Sequence, residues 1–245
     1  MLKIISRPIS KLLHSFGYTI SRTEKLIPSS TDPNWAEKLN IQTIIDIGSN
    51  EGQFIKKINE VLPGRKIFAF EPIPYCYNKM VEAIKNIDVT AFNVGLSDAE
   101  GSMTINISNN LVSSSFLEMK DLHKTSFPES SYVNQENVSV KKLDDILAKY
   151  ELKKNILVKL DVQGYEEKVI AGGKKIFEET AAVIVESTFE PFYESQWLFD
   201  DIYNHFTNAG FKFMGFTDQE NSQKTGIPLF ADSIFIRKEL VKLVL

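Results

Sequence analysis

Three short β-branched or aromatic runs alternate with helix-periodic segments in under sixty residues, and few folds accommodate that pattern. Thr43 to Ile47 reads as a strand, followed by a Gly-containing turn and by Gln53 to Leu62, whose apolar positions Phe54, Ile58, Val61 and Leu62 share a helical face. Pro63-Gly64 stops that helix. Lys66 to Phe70 gives a second strand, Pro74 to Ile87 a second helix and Val89 to Val94 a third strand. Parallel strands joined by right-handed helical crossovers form a sheet covered on both faces, so the expected class is α/β. A chain of 245 residues, 43% hydrophobic and 24% charged, can bury such a core as one domain.

After Gly95 the pattern changes. Met103, Ile105 and Ile107 alternate as an antiparallel edge strand, and the polar stretch 108–135 is expected to be a mobile connection or a substrate-side lid. Val138 and Val140 resume a strand, Leu143 to Tyr150 a helix and Ile156 to Leu160 a buried strand. Glu166 to Ala171 and Lys174 to Glu179 are helical pieces broken at Gly172-Gly173. Ala182 to Glu186 is a fifth parallel strand, Leu198 to Ala209 a helix stopped by Gly210, and Phe211 to Phe216 with Asp232 to Arg237 a closing antiparallel pair.

The expected domain spans 41–238, preceded by a helical, basic extension over 1–40 that includes a short helix from Thr31 to Asn40. Lys3, Arg7, Lys11, Arg22 and Lys25 face only Glu24 in its first part. Three readings of that start stay open: a helix packed on its own domain, a peripheral contact with an anionic membrane, or a targeting peptide. No apolar run approaches the ~18 residues that span a bilayer, so the expected location is cytoplasmic, with membrane contact at most peripheral. A net charge of −4 offers no field for nucleic acid, which is not expected as a partner. Cys76, the single cysteine, can form neither an intramolecular disulfide nor a multi-cysteine metal site, and it reads as a small, partly buried residue.

The first strand runs into Ile45-Asp46-Ile47-Gly48-Ser49-Asn50-Glu51-Gly52-Gln53. Open parallel sheets bind ligands beyond the carboxyl ends of their strands, where a Gly-rich turn lets backbone approach a nucleotide. Gly48-x-x-x-Gly52 matches neither the dinucleotide fingerprint nor the phosphate loop. Asp46 would repel a phosphate but suits a ligand bearing an ammonium and a sulfonium. Glu71 ends the second strand, where a carboxylate can accept both hydroxyls of a ribose.

Four ordered blocks carry a family resemblance: Asp46 to Gly52, Phe70-Glu71-Pro72, Asn93 to Asp98 with Gly101, and Lys159-Leu160-Asp161-Val162-Gln163-Gly164-Tyr165-Glu166. Over roughly Ile41 to Arg237 the chain resembles the FkbM family of S-adenosylmethionine (SAM)-dependent methyltransferases. The resemblance implies a class I methyltransferase (Rossmann-like) sheet of seven mostly parallel strands, with the last strand antiparallel and helices on both faces. It also implies that Gly48, Ser49, Asn50, Gly52 and Gln53 wrap the methionine moiety of SAM. Glu71 and Pro72 would then lie at the ribose, Asn93, Leu96, Ser97 and Asp98 on the adenine side, and Asp46 and Asp161 near the cofactor's charged groups. The family usually has Glu where this chain has Gln163, which removes one carboxylate.

Methyl transfer to an alcohol requires an oriented oxygen and a proton acceptor. Asp161, at the end of the fourth parallel strand, is the first candidate for base or substrate orienter; Glu186 and, on the polar stretch, His123 follow. His14 and His205 read as ordinary surface or half-buried residues. Glu166 is either a first-turn helix acid or, with Asp161 or Glu186, an oxygen ligand for magnesium; the expected site contains no metal. Ser113 to Phe116 would sit on the lid, and Phe189, Pro191, Phe192, Tyr193 and Trp197 would form either a stacking wall for a flat acceptor or part of the core. The expected activity is O-methylation of a small molecule or glycan. N-methylation, or a catalytically silent module docking a partner or membrane, are the alternatives.

Overall fold

The computed structural model describes residues 35–245; the basic N-terminal segment and His14 lie outside the described residues. A seven-stranded sheet forms from β1 (Thr43–Ile47), β2 (Lys66–Phe70), β3 (Val89–Phe92), β7 (Ile156–Leu160), β8 (Thr180–Thr188), β9 (Phe211–Asn221) and β10 (Pro228–Arg237), in the order β3-β2-β1-β7-β8-β10-β9. The four pairs of neighbours from β3 to β8 run parallel, while β10 runs antiparallel to both β8 and β9. This is the class I methyltransferase topology, with the reversed strand inserted next to last in space.

β1 is buried along its whole length because it lies between β2 and β7 with helices on both faces. Ile45 and Ile47 point into one apolar layer with α5 (Leu143–Leu147), α6 (Glu166–Gly172), α7 (Lys174–Glu179) and α8 (Phe199–Asn208), through Leu143, Val169, Phe177 and Phe206. Ile44 points into the other, with α1 (Trp35–Lys38), α2 (Gln53–Val61) and α3 (Pro74–Ala83), through Ala36, Ile58 and Met80. Each fully buried Ile or Phe contributes about 1.5–3 kcal/mol relative to exposure. Packing extends beyond 238, since Val241, in the 3-10 turn Lys238–Leu243, is buried in the second layer.

The region after β3 differs from expectation. β4 (Gly95–Leu96), β5 (Gly101–Ser108) and β6 (Tyr132–Lys141) form a separate three-stranded sheet in the order β4-β6-β5. The stretch 108–135 is neither bare nor loose. It holds a 3-10 turn at Leu111–Ser113, α4 (Asp121–Ser126), a second 3-10 turn at Pro128–Ser130 and the first residues of β6. Several of its polar residues are satisfied within it or by β5: Ser115 pairs both backbone groups with Asn106, and Ser113 Oγ bonds Ser130 Oγ at 3.1 Å. Met119 is buried with Phe192, Tyr193 and Leu229, which come from much later in the chain.

Candidate functional site

Beyond the carboxyl ends of β1, β2, β7 and β8 lies a cleft of about 580 Å³, a size suited to a nucleoside-like ligand and a small acceptor. One wall is the turn after β1. The N–H groups of Gly48 and Ser49 both donate to the Phe70 carbonyl at 3.0 Å, and Ser49 Oγ donates to the Asp46 carbonyl at 2.9 Å. Gly48 sits at φ +81°, and a Cβ there would stand 1.8 Å from the Asp161 carbonyl oxygen. Only glycine lets the turn lie so close to the end of β7. Asp46 is buried, and one carboxylate oxygen, Oδ2, has no partner among the described residues. Desolvation pushes its carboxyl up to about 7, against the pull of Ser49 and Lys159.

Glu71, also buried, accepts one backbone N–H on each oxygen, from Ile73 at 2.8 Å and Asn50 at 2.9 Å. Burial lifts it to about 7 as well. Each oxygen keeps lone-pair capacity for a further donor. Asp46, Gly48, Ser49, Asn50 and Gln53 line the cleft, with Glu71, Pro72 and Leu96 further along the wall.

Four expected cofactor contacts stand elsewhere. Gly52, at φ +83°, seats α2 against Met80 and Ile84. Asn93 does not line the cleft; its amide braces the carbonyls of Glu71 and Pro72 at 2.9 and 3.0 Å. Ser97 is buried against Tyr165 Oη at 3.1 Å, and Asp98 pairs with Lys168 at 3.4 Å. Their neighbours Val94 and Gly95 line the cleft instead.

The other wall contains a linked cluster of titratable groups. Asp161 follows β7, held by its N–H to the Ile47 carbonyl at 3.0 Å. Its Oδ2 lies 3.4 Å from Lys159 Nζ, which also reaches Asp232 Oδ1 at 2.8 Å. Burial alone would push the Lys159 ammonium down, but the two carboxylates overcome it and hold it above its ordinary value. Gln163 donates from Nε2 to Asp161 Oδ1 at 3.0 Å and to Glu186 Oε2 at 2.8 Å. The amide could not be reversed without setting its oxygen against two carboxylates, so Oε1 is the acceptor for Tyr193 Oη at 2.8 Å.

That assignment fixes the next two groups. With its proton on Gln163, rather than on the longer 3.2 Å contact to the Ser113 carbonyl, the Tyr193 oxygen accepts from His123 Nε2 at 3.3 Å. His123 is therefore the Nε2–H tautomer, with Nδ1 a buried acceptor lacking a partner among the described residues. Burial pushes the imidazole down to about 4, so it is neutral at physiological pH. Glu186 is raised well above the ordinary carboxylate value by burial and by the nearby Asp161 charge.

Glu166 does not line the cleft. Its Oε1 accepts the N–H groups of Val162 and Gly164 at 3.1 and 3.3 Å, fixing a turn in which Gln163 and Gly164 both have positive φ. No group of three His, Cys, Asp or Glu suited to a metal occurs among the described residues. Of the five residues expected as a stacking wall or core, only Phe192 lines the cleft; Phe189 packs on Phe199 and Phe216, and Trp197 on His205. Cys76 is buried but reaches the cleft lining, with its thiol pushed up to about 12 by burial and therefore inert.

The sequence pointed to no site role for Lys159 or Asp232, and Tyr193 read only as stacking wall or core. One signal was available: a lysine inside the otherwise apolar Ile156-Leu157-Val158-Lys159-Leu160 strand demands a buried acid.

The Methyltransferase FkbM domain matches residues 46–213, which contain all the cleft-lining residues except Glu220 and Phe230. The chain belongs to the FkbM methyltransferase family. The chain is 29% identical over 161 residues to the 2-O-methyltransferase NoeI of Sinorhizobium fredii, covering 62% of this chain and 66% of the relative. It is 28% identical over 172 residues to the methyltransferase sdnD of Sordaria araneosa, covering 60% and 66%. The matched stretch thus spans just under two thirds of each relative's length. Magnesium protoporphyrin IX methyltransferase of Synechocystis, solved with bound SAM, superposes on 95% of this FkbM chain and 92% of its own at 11% identity and a TM-score of 0.45. Among the described residues, no helix is long and apolar enough to cross a membrane.

Proposed function

We propose that this FkbM-family protein transfers the methyl group of SAM to a hydroxyl of a small molecule or glycan. The observation that carries this reading is the division of one cleft into two unlike walls. One has a glycine-tight turn and two buried carboxylates with unused acceptor capacity, and the other a hydrogen-bonded pair of carboxylates.

The first wall fits SAM. A Cβ at Gly48 would fill the space the turn leaves, Asp46 Oδ2 awaits a partner, and Glu71 can accept two hydroxyls side by side. A carboxylate at the end of β1 suits a cation and disfavours a pyrophosphate. Gln53 and Asn50 add amide groups to the same wall. When bound, SAM supplies a methyl group on a cationic sulfur that departs as a neutral thioether.

On the second wall, Asp161 is engaged twice, by Lys159 and Gln163, and so serves to orient the acceptor hydroxyl. Glu186 has no cationic partner among the described residues and has a raised affinity for protons, which makes it the better proton acceptor. Its resting state holds one Gln163 N–H on Oε2, leaving Oε1 for the hydroxyl. Holding the oxygen in line can supply ~7–11 kcal/mol of the barrier. Oxygen rather than nitrogen is favoured as the acceptor atom because the relative NoeI is a 2-O-methyltransferase. A silent docking module would have no use for two buried carboxylates kept poised at their desolvation cost.

The test is isotope-labelled methyl transfer from SAM to a panel of polyols and amino alcohols, with the labelled atom located by NMR. Label on oxygen, with Glu186→Gln lowering saturated turnover by about 10²–10⁴-fold at unchanged SAM affinity, supports the reading. Label on nitrogen alone, or a Glu186→Gln variant with full turnover, contradicts it.

A further inference from the structure

A carboxylate that takes a proton from an acceptor hydroxyl must have shed its own, and the surroundings of Glu186 work against that. Asp161 beyond β7, Glu166 at the start of α6 and Asp232, opposite it on β10, all press negative charge toward it. The nearby cation, Lys159, is bonded to Asp161 and Asp232 instead. Among the described residues the one hydrogen-bond donor to Glu186 is the Gln163 amide, whose Nε2 reaches Oε2 at 2.8 Å and Asp161 Oδ1 at 3.0 Å. Donation to a carboxylate favours its ionised form.

An amide has two ends, and the other end would do the opposite. Turned over, Gln163 would present Oε1 to the carboxylates and accept from a protonated Glu186. Tyr193 opposes the turn, because its hydroxyl donates to Oε1 at 2.8 Å while accepting from His123 Nε2 at 3.3 Å. Tyr193 neither lines the cleft nor bonds either carboxylate, so it reaches them only through the amide. Its own seat is fixed. The ring is 1% exposed, the backbone N–H is held by Gln196 Oε1, and a Cβ at Gly164 would stand 3.1 Å from Tyr193 Cδ2.

The backbone of Gln163 is fixed as firmly. It lies at φ +54°, in the left-handed region that residues with side chains seldom occupy. Glu166 secures that turn through the N–H groups of Val162 and Gly164, and Ser115 Oγ donates to the Gln163 carbonyl at 2.7 Å. A strained conformation held from three directions serves here to aim one side chain. Resting on the methyl-transfer reading, we propose that Gln163 and Tyr193 are positioning residues: Tyr193 locks the Gln163 amide with its N–H groups on Asp161 and Glu186, and the locked amide keeps Glu186 open to the acceptor's proton.

The experiment follows Glu186 directly, by carboxyl-carbon NMR of the full chain isotope-labelled in glutamate and free of SAM, with the Glu186 signal identified by its loss in Glu186→Gln. In Tyr193→Phe, which keeps the ring, the proton affinity of Glu186 should rise about tenfold or more, the effect of one hydrogen bond to a charged group. Gln163→Met, which has no N–H to give, should raise it too, and adding Tyr193→Phe to that variant should change nothing further. Once an acceptor is found, the acid limb of kcat in Tyr193→Phe should move to higher pH with its plateau retained. A Tyr193→Phe variant that is folded by circular dichroism and leaves the Glu186 titration unmoved overturns the proposal, as does a Tyr193→Phe effect that persists in the Gln163→Met background. Should Tyr193→Phe not fold, Gln163→Met decides: an unmoved Glu186 there overturns the proposal and a raised proton affinity supports it. The titration needs no acceptor, so a Glu186 that responds as expected in a chain that transfers no methyl from labelled SAM would strike at the methyl-transfer reading and not at the positioning.

Discussion

At the scale of single residues, what matters is how buried charge is balanced. Asp46 and Glu71 both sit near 7 because burial outweighs every hydrogen bond they receive. A ligand that supplies a cation to one and hydroxyls to the other favours their ionised forms, so binding lowers both values and releases protons. SAM affinity should therefore strengthen as pH rises toward about 7, with a slope approaching tenfold per unit for each group that must ionise below that value, and level off above it; calorimetry in buffers of different ionisation enthalpy reads the proton release directly. A pH-independent affinity would remove both residues from the site. Glu71→Ala should weaken SAM by roughly 1.5–3 kcal/mol, the range for hydrogen bonds to a charged group, with the fold retained by circular dichroism. Asp46 and Glu71 were legible in the sequence because each ends a recognisable strand. The Gln163–Tyr193–His123 chain was not, since its partners stand 30 and 70 positions apart and meet only through the fold.

At the scale of elements, the turn between β1 and α2 determines whether the cleft exists. Its tightest point is Gly48, where a side chain would strike backbone rather than a movable side chain. Gly48→Ala should cost at least about 3 kcal/mol in urea unfolding, from forced φ and a backbone clash together. Gly101→Ala, where an added Cβ meets nothing within 4 Å, should stay within about 0.5 kcal/mol and serves as the control. Equal effects at the two positions would mean that the turn is not held against β7. The strand and helix pattern of the main sheet could be read because its periods are local. The stretch 108–135 could not, because α4 is only 6 residues long and packs on Phe192 and Tyr193, so no periodicity marks it and its core is borrowed from later sequence. The helix over Pro74–Ala83 likewise ends short of Ile87: the Ile84 N–H makes the last i→i−4 bond, to the Met80 carbonyl at 3.0 Å, and the Ile87 N–H bonds only the Ile84 carbonyl at 2.8 Å.

At the scale of the whole molecule, the sheet brings the ends of four strands to one cleft, and the three-stranded sheet with its 3-10 turns and α4 closes the acceptor side with Ser113, Phe116 and His123. The seven-stranded sheet and its reversed strand were legible in the sequence; that Ser97 bonds Tyr165 and Asp98 pairs with Lys168 instead of lining the cleft was not. Their placement depends on how two sheets meet, which no local pattern encodes. The central claim is that the β1 wall was built for a cationic nucleoside rather than a pyrophosphate. Parallel calorimetric titrations of the full chain with SAM and with NADH test it most directly. The expected result is saturable binding of SAM that Glu71→Ala weakens by roughly 1.5–3 kcal/mol, with no heat from NADH; saturable binding of NADH with no SAM signal would contradict it.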